Sequence, residues 1–264
     1  MSVKHRMMWA AALVLLLTLT TALAEDGGVR GTVWVDKTPD GLWDGEPTVK
    51  NVTVILEKTE AEGDEKEIAR AVTERDGAFA LTASEPGDYR LRIELPEEYH
   101  FTLHGLDSMA LPIQGGVGYT PVFSLEAGEV RDMNIGTTKG RASVTFMVFE
   151  DANQNGGRAS AEKRLSHVRV GVLYEYEGQT YTVAETTTPV GGRITLTHLS
   201  PGTYRAYFEM PEGYRAGPMG TKFSGWYNCF TQEGNLGLTV PFTVGIGDNQ
   251  WVGAGVVKTA IESQ

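Results

Sequence analysis

One cysteine, Cys229, stands in 264 residues, so no disulfide can close within the chain. Stability has to come from packed cores, with help from any bound ion. Cys229 itself sits in the apolar run Phe223–Phe230 and reads as a small buried hydrophobe rather than a reactive thiol. Basic clusters are also missing. Lys and Arg number 23 against 34 Asp and Glu, a formal charge of −11, and such a surface repels phosphate, which excludes nucleic acid as a partner and disfavours anionic membranes. Helical spacing is absent as well, and with it any glycine loop that would cradle phosphate ahead of a helix. Ser224-Gly225 lacks the strand–elbow–helix setting of a hydrolase serine, and no Ser, His and Asp are spaced as a triad. The chain reads as a non-enzyme.

Long apolar runs are confined to the start. Lys4, His5 and Arg6 precede the almost wholly apolar Met7–Leu17, and Ala22-Leu23-Ala24 supplies a small-x-small cleavage signal. Residues 1–24 are therefore expected to be a signal peptide, with Glu25 as the mature N-terminus. Loss of Lys4 and Arg6 with this leader takes the formal charge from −11 to −13. The apolar run is short for a membrane span, and neither a lipobox nor a sortase-type motif, hydrophobic tail or basic tail is seen. The expected product is secreted or extracellular, at most associated with the cell surface, with no membrane anchor after cleavage.

What is present is a pattern written twice. At an offset of 115, Asp36 falls on Asp151, Gly41 on Gly156, Gly77 on Gly192, Gly87 on Gly202, Tyr89 on Tyr204, Pro96 on Pro211 and Tyr99 on Tyr214. At an offset of 119, Phe123 falls on Phe242, Gly128 on Gly247, Gly136 on Gly255 and Lys139 on Lys258. Shared turns, aromatics and punctuation mean that a fold with its loops is repeated. Both halves alternate apolar and polar residues at period two: Val52, Val54, Leu56 and Tyr89, Leu91, Ile93 in the first, Val168, Val170, Val172 and Tyr204, Ala206, Phe208 in the second. Asp76-Gly77 and Gly191-Gly192 are hairpin turns, Pro86-Gly87 and Pro201-Gly202 launch strands, and Pro96 and Pro211 end them. Thr59–Ala71, broken by Gly63, reads as a charged hairpin loop. The final strands are expected at Val130–Ile135 and Gln250–Val257. The fold class is all-β, two tandem antiparallel β-sandwiches over residues 25–138 and 139–264. Only Thr137-Thr138-Lys139-Gly140 separates them, which favours a semi-rigid rod.

The string from Gly31 to Pro47 (G-T-V-W-x-D-x-x-x-D-G-x-x-D-x-E-P), then D-G-x-F at Asp76, P-G-D-Y at Pro86 and P-E-E-Y at Pro96, resembles the B-type domains of Gram-positive surface proteins. Those are the repeats of serine-aspartate-repeat adhesins and their collagen-adhesin relatives. F-x-D-x-N-x-N-G from Phe149, L-x-P-G-T-Y from Leu199 and P-E-G-Y from Pro211 repeat the resemblance in the second half. The resemblance implies a transthyretin-like, inverse immunoglobulin-type sandwich serving as a stalk or spacer. It also implies that some members hold calcium in the first loop and others an internal Lys–Asn cross-link promoted by a buried Glu. That Glu would fall at Ile93 and Phe208, so the cross-link is not expected here.

The first loop of the second half fits the oxygen-ligand pattern D-x-[DN]-x-[DN]-G-x5-E without a gap: Asp151, Asn153, Asn155, Gly156 and Glu162, with the Gly157 carbonyl facing inward. Hard oxygen donors suit Ca²⁺ rather than a transition metal. Its counterpart has Asp36, Thr38, Asp40, Asp44 and Glu46, more charge at poorer spacing, with Glu46 one place early. Either loop is also compatible with an ordinary polar turn. Any calcium is expected to bind weakly, at about 10⁻⁴ to 10⁻³ M.

His100 and His104 are expected as exposed loop residues rather than a zinc site. Trp34 and Trp251 are expected in the core. Trp226, Tyr227 and Phe230 are expected to fill the end of the second sandwich, with a sugar-stacking platform as the alternative. The functional expectation is a non-enzymatic adhesion or spacer module, stiffened by calcium, with an extracellular protein or glycan as ligand. The alternative is a secreted glycan-binding protein using the aromatic loop.

Overall fold

A computed structural model describes residues 26–38, 40–60, 65–105, 107–112 and 116–259. The proposed signal peptide, with its cleavage point, lies outside the described residues, as does Gly63. Among the described residues every regular element is a strand, and no helix is long and apolar enough to cross a membrane. The first ten are β1 (Gly27–Val35), β2 (Thr53–Thr59), β3 (Glu65–Val72), β4 (Ala78–Ala83), β5 (Gly87–Glu94), β6 (His100–Phe101), β7 (Val117–Tyr119), β8 (Phe123–Leu125), β9 (Val130–Asp132) and β10 (Ile135–Thr138). The next ten are β11 (Ala142–Glu150), β12 (Arg169–Tyr176), β13 (Gln179–Thr187), β14 (Arg193–Leu199), β15 (Gly202–Glu209), β16 (Tyr214–Ala216), β17 (Thr231–Glu233), β18 (Leu236–Leu238), β19 (Phe242–Val244) and β20 (Asn249–Lys258).

They form four sheets in two sandwiches. The first pairs a β4-β1-β10-β6 sheet, joined by β9 along β1, with a β3-β2-β5-β7 sheet joined by β8. The second pairs β14-β11-β20-β16 with β13-β12-β15-β18-β17, joined by β19. Inward residues of each pair meet as a separate core. Val33, Val54, Leu56, Leu91, Ile93, Phe101 and Ile135 belong to the first, and Val144, Phe146, Val170, Val172, Phe208, Phe230 and Val252 to the second. Strand β4 shows why: Phe79, Leu81 and Ala83 are buried while Ala78, Ala80 and Thr82 face out, the two-residue period of a half-covered sheet.

Between the named strands, pairing is antiparallel except where the first strand of each sandwich meets the last. The first strand lies parallel to the last, Val33 opposite Ile135 and Phe146 opposite Val252, because the chain crosses between the sheets before its final strand returns beside the first. In the second sandwich that last strand is continuous. In the first it is broken into β9 and β10 at Met133 and Asn134, where Asn134 turns its side-chain oxygen to accept the Thr32 amide at 3.0 Å.

Matching side chains tie matching places. Tyr89 donates to the Glu85 carbonyl at 2.7 Å and Tyr204 to the Ser200 carbonyl at 2.8 Å, each clamping the turn that launches its strand. Thr73 donates to Val49 O and accepts from Val52 N–H, as Thr188 does with Leu165 and Val168. Ile93 and Phe208, where a cross-linking acid would stand, are fully buried and apolar.

Three expectations need correction. The charged stretch within Thr59–Ala71 is largely strand: β3 pairs with β2 along its length, Thr53 opposite Val72 through Thr59 opposite Glu65. Its charges blunt an edge strand rather than mark a loop. Trp251 is only half buried, with the Arg193 guanidinium 5.5 Å over its ring, whereas Trp34 is fully enclosed and stacked on Trp43 at 6.4 Å. His100 and His104 are not exposed; where the sandwiches meet, His100 is buried and His104 is half buried with its Nε2 enclosed.

Candidate functional site

The two acidic loops leave the ends of β1 and β11, and each is organised around one buried aspartate. Asp36 and Asp151 are 1% and 0% exposed. A carboxylate can be enclosed in this way only when hydrogen bonds replace its water. Asp36 accepts from the Thr38 amide at 3.1 Å on Oδ1, and from the Gly41 amide at 2.8 Å and the Thr102 hydroxyl at 2.5 Å on Oδ2. Asp151 accepts from the Asn155 amide at 3.1 Å and the Gly156 amide at 2.9 Å. Gly41 and Gly156 both adopt left-handed backbone, φ +76° and +73°, where a side chain would be strained.

In the second loop the expected side-chain oxygens accept from the loop's own amides. Asn153 Oδ1 accepts from the Asn155 amide at 3.1 Å, and Asn155 Oδ1 from the Gly157 amide at 2.8 Å. Glu162 closes the loop, its two oxygens accepting from the Asn153 amide at 3.4 Å and the Ala159 amide at 2.7 Å. The first loop is less uniform. Thr38 donates to Asp40 Oδ2 at 3.1 Å, and the Leu42 amide donates to Asp40 Oδ1 at 3.0 Å. Glu46 Oε1 accepts from the Lys37 amide at 2.6 Å, while Glu46 Oε2 is enclosed with no hydrogen-bond partner. Asp44 is exposed. Both glutamates reach the amide nine residues earlier, so the missing residue slides the first closure from Thr38 to Lys37.

Among the described residues no three His, Cys, Asp or Glu side chains form a group able to hold a metal. A cation in either loop would therefore draw on amide, hydroxyl and backbone oxygens beside its carboxylates. That donor chemistry suits a hard ion such as Ca²⁺ and no thiolate or imidazole metal. In the first loop Glu46 Oε2 is the enclosed side-chain oxygen left without a hydrogen-bond partner among the described residues.

Three side chains that support the loops escaped sequence reasoning because they come from the long connections. Thr102 binds Asp36 directly. Asp107 accepts the Trp43 amide at 2.9 Å and donates its own amide to Gly41 O at 3.1 Å, so the 100–110 segment buttresses the first loop. Asn228 does the same for the second. Its amide donates to Gly156 O, its Nδ2 to the Gly217, Pro218 and Phe230 carbonyls, and its Oδ1 accepts from Phe230 and Gly255 N–H. The signal was a polar residue inside the aromatic run Phe223–Phe230.

That run divides as no single expectation foresaw. Phe230 and Cys229 are core, 0% and 1% exposed, and burial pushes the Cys229 thiol above its ordinary pKa. Tyr227 is half buried, and Trp226 is 52% exposed with the Arg158 guanidinium 5.9 Å over its ring. Asn155, Gly157, Arg158, Ala159, Trp226 and Tyr227 line a hollow of about 410 Å³ beside the second loop.

The first loop lies beside the connector and the second at the far end of its sandwich. The Asp36 amide donates to Thr137 O, next to the connector, whereas β11 carries Asp151 away from the connector by nine residues, roughly 30 Å of strand.

Comparison with known proteins places this architecture. The chain is 28% identical over 228 residues to the serine-aspartate repeat-containing protein F of Staphylococcus epidermidis, covering 86% of this chain and 13% of that protein. It is 27% identical over 187 residues to the bone sialoprotein-binding protein of Staphylococcus aureus, covering 69% and 15%. The chain thus spans about an eighth to a seventh of the length of these relatives. A minor pilin of Streptococcus agalactiae is similar at TM-score 0.41 and 12% identity over 90% of this chain and 98% of that one. The SdrD B-like domain is matched twice, by residues 28–134 and 142–225, and the chain belongs to that family.

Proposed function

We propose that the chain is a non-enzymatic spacer and adhesion module of a secreted or surface-held protein, two sandwiches in tandem whose first loops are stiffened by calcium. The observation that carries the calcium reading is the enclosed Glu46 Oε2, which has no donor in a loop already holding Asp36, Asp40 and Asp44. Carboxylates gathered in one loop repel one another until a cation joins them. In the second loop Asp151, Asn153, Asn155, the Gly157 carbonyl and Glu162 would hold the ion; in the first, Asp36, Thr38, Asp40, Asp44 and Glu46. A bound ion would supply rigidity. The three-residue connector and the buttressing of the first loop by Asp107 support a rod that transmits that rigidity between sandwiches.

The partner is proposed to be an extracellular protein, in keeping with a relative whose name states that it binds bone sialoprotein. Thermal melting in calcium and in chelator tests the calcium reading. A concentration near a hundred times the dissociation constant stabilises by about 2.7 kcal/mol, and Glu162→Gln is expected to remove the shift of the second sandwich. Identical melting in the two buffers would end it.

A second reading rests on Trp226. Its exposed ring beside Tyr227, over a hollow of about 410 Å³, offers the flat apolar face that stacks on a pyranose. A glycan array showing binding by the native chain and none by Trp226→Ala would promote this reading over the spacer; no binding by either removes it.

A further inference from the structure

The three-residue connector Lys139-Gly140-Arg141 is packed on both sides. The Lys139 ammonium lies 4.7 Å over the Tyr99 ring of the first sandwich, and the Gly247 amide of the second donates to Arg141 O at 2.7 Å. Gly140 packs against Ile246 of the second sandwich, whose side chain would have to move for a Cβ there, 2.3 Å from Ile246 Cδ1. Around this connector the sandwiches meet through histidine. His100, on β6, lies 5.6 Å from the ring of His198, on β14, and His104 sits edge-on to Tyr176, on β12, at 4.1 Å, with Tyr174 at 6.3 Å.

The ring nitrogens enclosed without acceptors disfavour the charged form of both rings. His100 is 6% exposed, and neither of its ring nitrogens has a partner. An imidazolium there would carry two buried N–H donors with nothing to accept them. His104 Nδ1 stands 3.1 Å from Ala110 O, the place of a donated proton, while Nε2 is enclosed without a partner. A second proton would have to enter at Nε2.

We infer that the joint between the sandwiches is a proton-operated latch, closed while His100 and His104 are neutral and released when they are protonated. The charged and titratable groups facing His100 are Arg141 from the connector and His198 from β14, both adding positive charge. Those facing His104 are Tyr174 and Tyr176 from β12 and Glu177 from the following turn, the last of which attracts a proton. Burial outweighs that attraction. Burial, then Arg141 and His198, hold His100 below its ordinary 6.5, and burial holds His104 below the same value against the Ala110 and Met109 backbone and Glu177. Opening returns both rings to water and to about 6.5. The closed joint is therefore at full strength above that pH and weakens as the pH falls through the depressed values. Each unit of depression is tenfold in the closed-to-open ratio.

Small-angle scattering of the full secreted chain from pH 7.5 to 5.0, at fixed calcium, tests this. The maximum dimension is expected to stay constant above pH 6.5 and grow below it while far-ultraviolet circular dichroism holds steady. The double variant His100→Gln, His104→Gln, whose amides do not titrate, is expected to give a flat profile. A native profile that is flat, that follows unfolding, or that the double variant shares would overturn the proposal. Should the double variant not fold, proton NMR titration of the native imidazoles decides: midpoints below 6.5 at His100 and His104 support it, and midpoints at or above 6.5 refute it.

Discussion

The loops after β1 and β11 have nearly the same grammar and different situations. The second matches the oxygen-ligand pattern in full, and its side-chain oxygens are taken up by its own amides. The first departs from the pattern, borrows Thr102 and Asp107 from a distant segment, and keeps one enclosed carboxylate oxygen unmet. Spacing points to the second loop, and the unmet oxygen points to the first. What a loop needs from an ion depends on how much of its negative charge the backbone has already answered, and that depends on which neighbours fold against it. The first loop also faces the connector, whereas the second lies at the far end of its sandwich, so nearly the same residues stand in two different settings.

Removing each buried aspartate should separate them most. Asp36→Ala leaves the Gly41 amide and the Thr102 hydroxyl buried without an acceptor, and Asp151→Ala leaves the Gly156 amide, the Asn155 amide keeping Asn153 Oδ1. At about 1–3 kcal/mol for each unmet buried group, both variants are expected to be strongly destabilised, with the first sandwich losing more because Asp36 answers a third donor, Thr38 N–H. Scanning calorimetry that resolves the two unfolding transitions checks this. A smaller loss in the first sandwich than in the second would deny Thr102 its place as a partner.

Calcium should sharpen the same contrast by a smaller amount. With Asp36, Asp40, Asp44 and Glu46 against Asp151 and Glu162, the first loop is expected to take the ion more tightly, because carboxylate count sets affinity in such sites. Isothermal titration of the native chain should then show two unequal sites, Glu46→Gln removing the tighter and Glu162→Gln the weaker. If Glu162→Gln removes the tighter, the ordering argued from charge is wrong and loop spacing governs.

Much of this was written in the local sequence. Period-two alternation found the core strands, the Pro-Gly turns found their starts, and the repeat paired Tyr89 with Tyr204, although only the fold shows their phenols clamping those turns. The edge strand β3 was missed because Glu65, Lys66 and Glu67 cover the alternation of a strand that buries little. The histidine joint was illegible for a different reason. His100 meets His198 only because two separately folded sandwiches are brought together by a short connector, and no periodicity within either half records a contact 98 residues away. Thr102 and Asp107 were hidden likewise, since ordinary polar residues gain a role only from the acid they fold against.

The smallest expected difference concerns those clamping tyrosines. Each donates its hydroxyl to a carbonyl four residues earlier, at 2.7 Å in the first sandwich and 2.8 Å in the second. Tyr89→Phe and Tyr204→Phe should therefore each cost about 1 kcal/mol at neutral pH, the usual net worth of one hydrogen bond. Alkali adds a further effect in the second sandwich. Tyr204 is fully buried with Tyr174 at 6.3 Å, and burial holds its phenol far above the ordinary value of 10. Tyr207 in the same strand is pushed up to about 12 by burial and by its bond to Glu185. A folded-state pKa raised above the unfolded one contributes stability that is whole below pH 10 and is lost as the pH climbs toward the folded value. Melting of the native second sandwich should fall steeply above pH 10, and Tyr204→Phe should flatten that fall while lowering the neutral plateau. Equal alkaline slopes in native and variant protein would mean that the phenol ionises no harder in the core than in water, and the clamp would then be a contact of shape rather than a buried hydrogen bond.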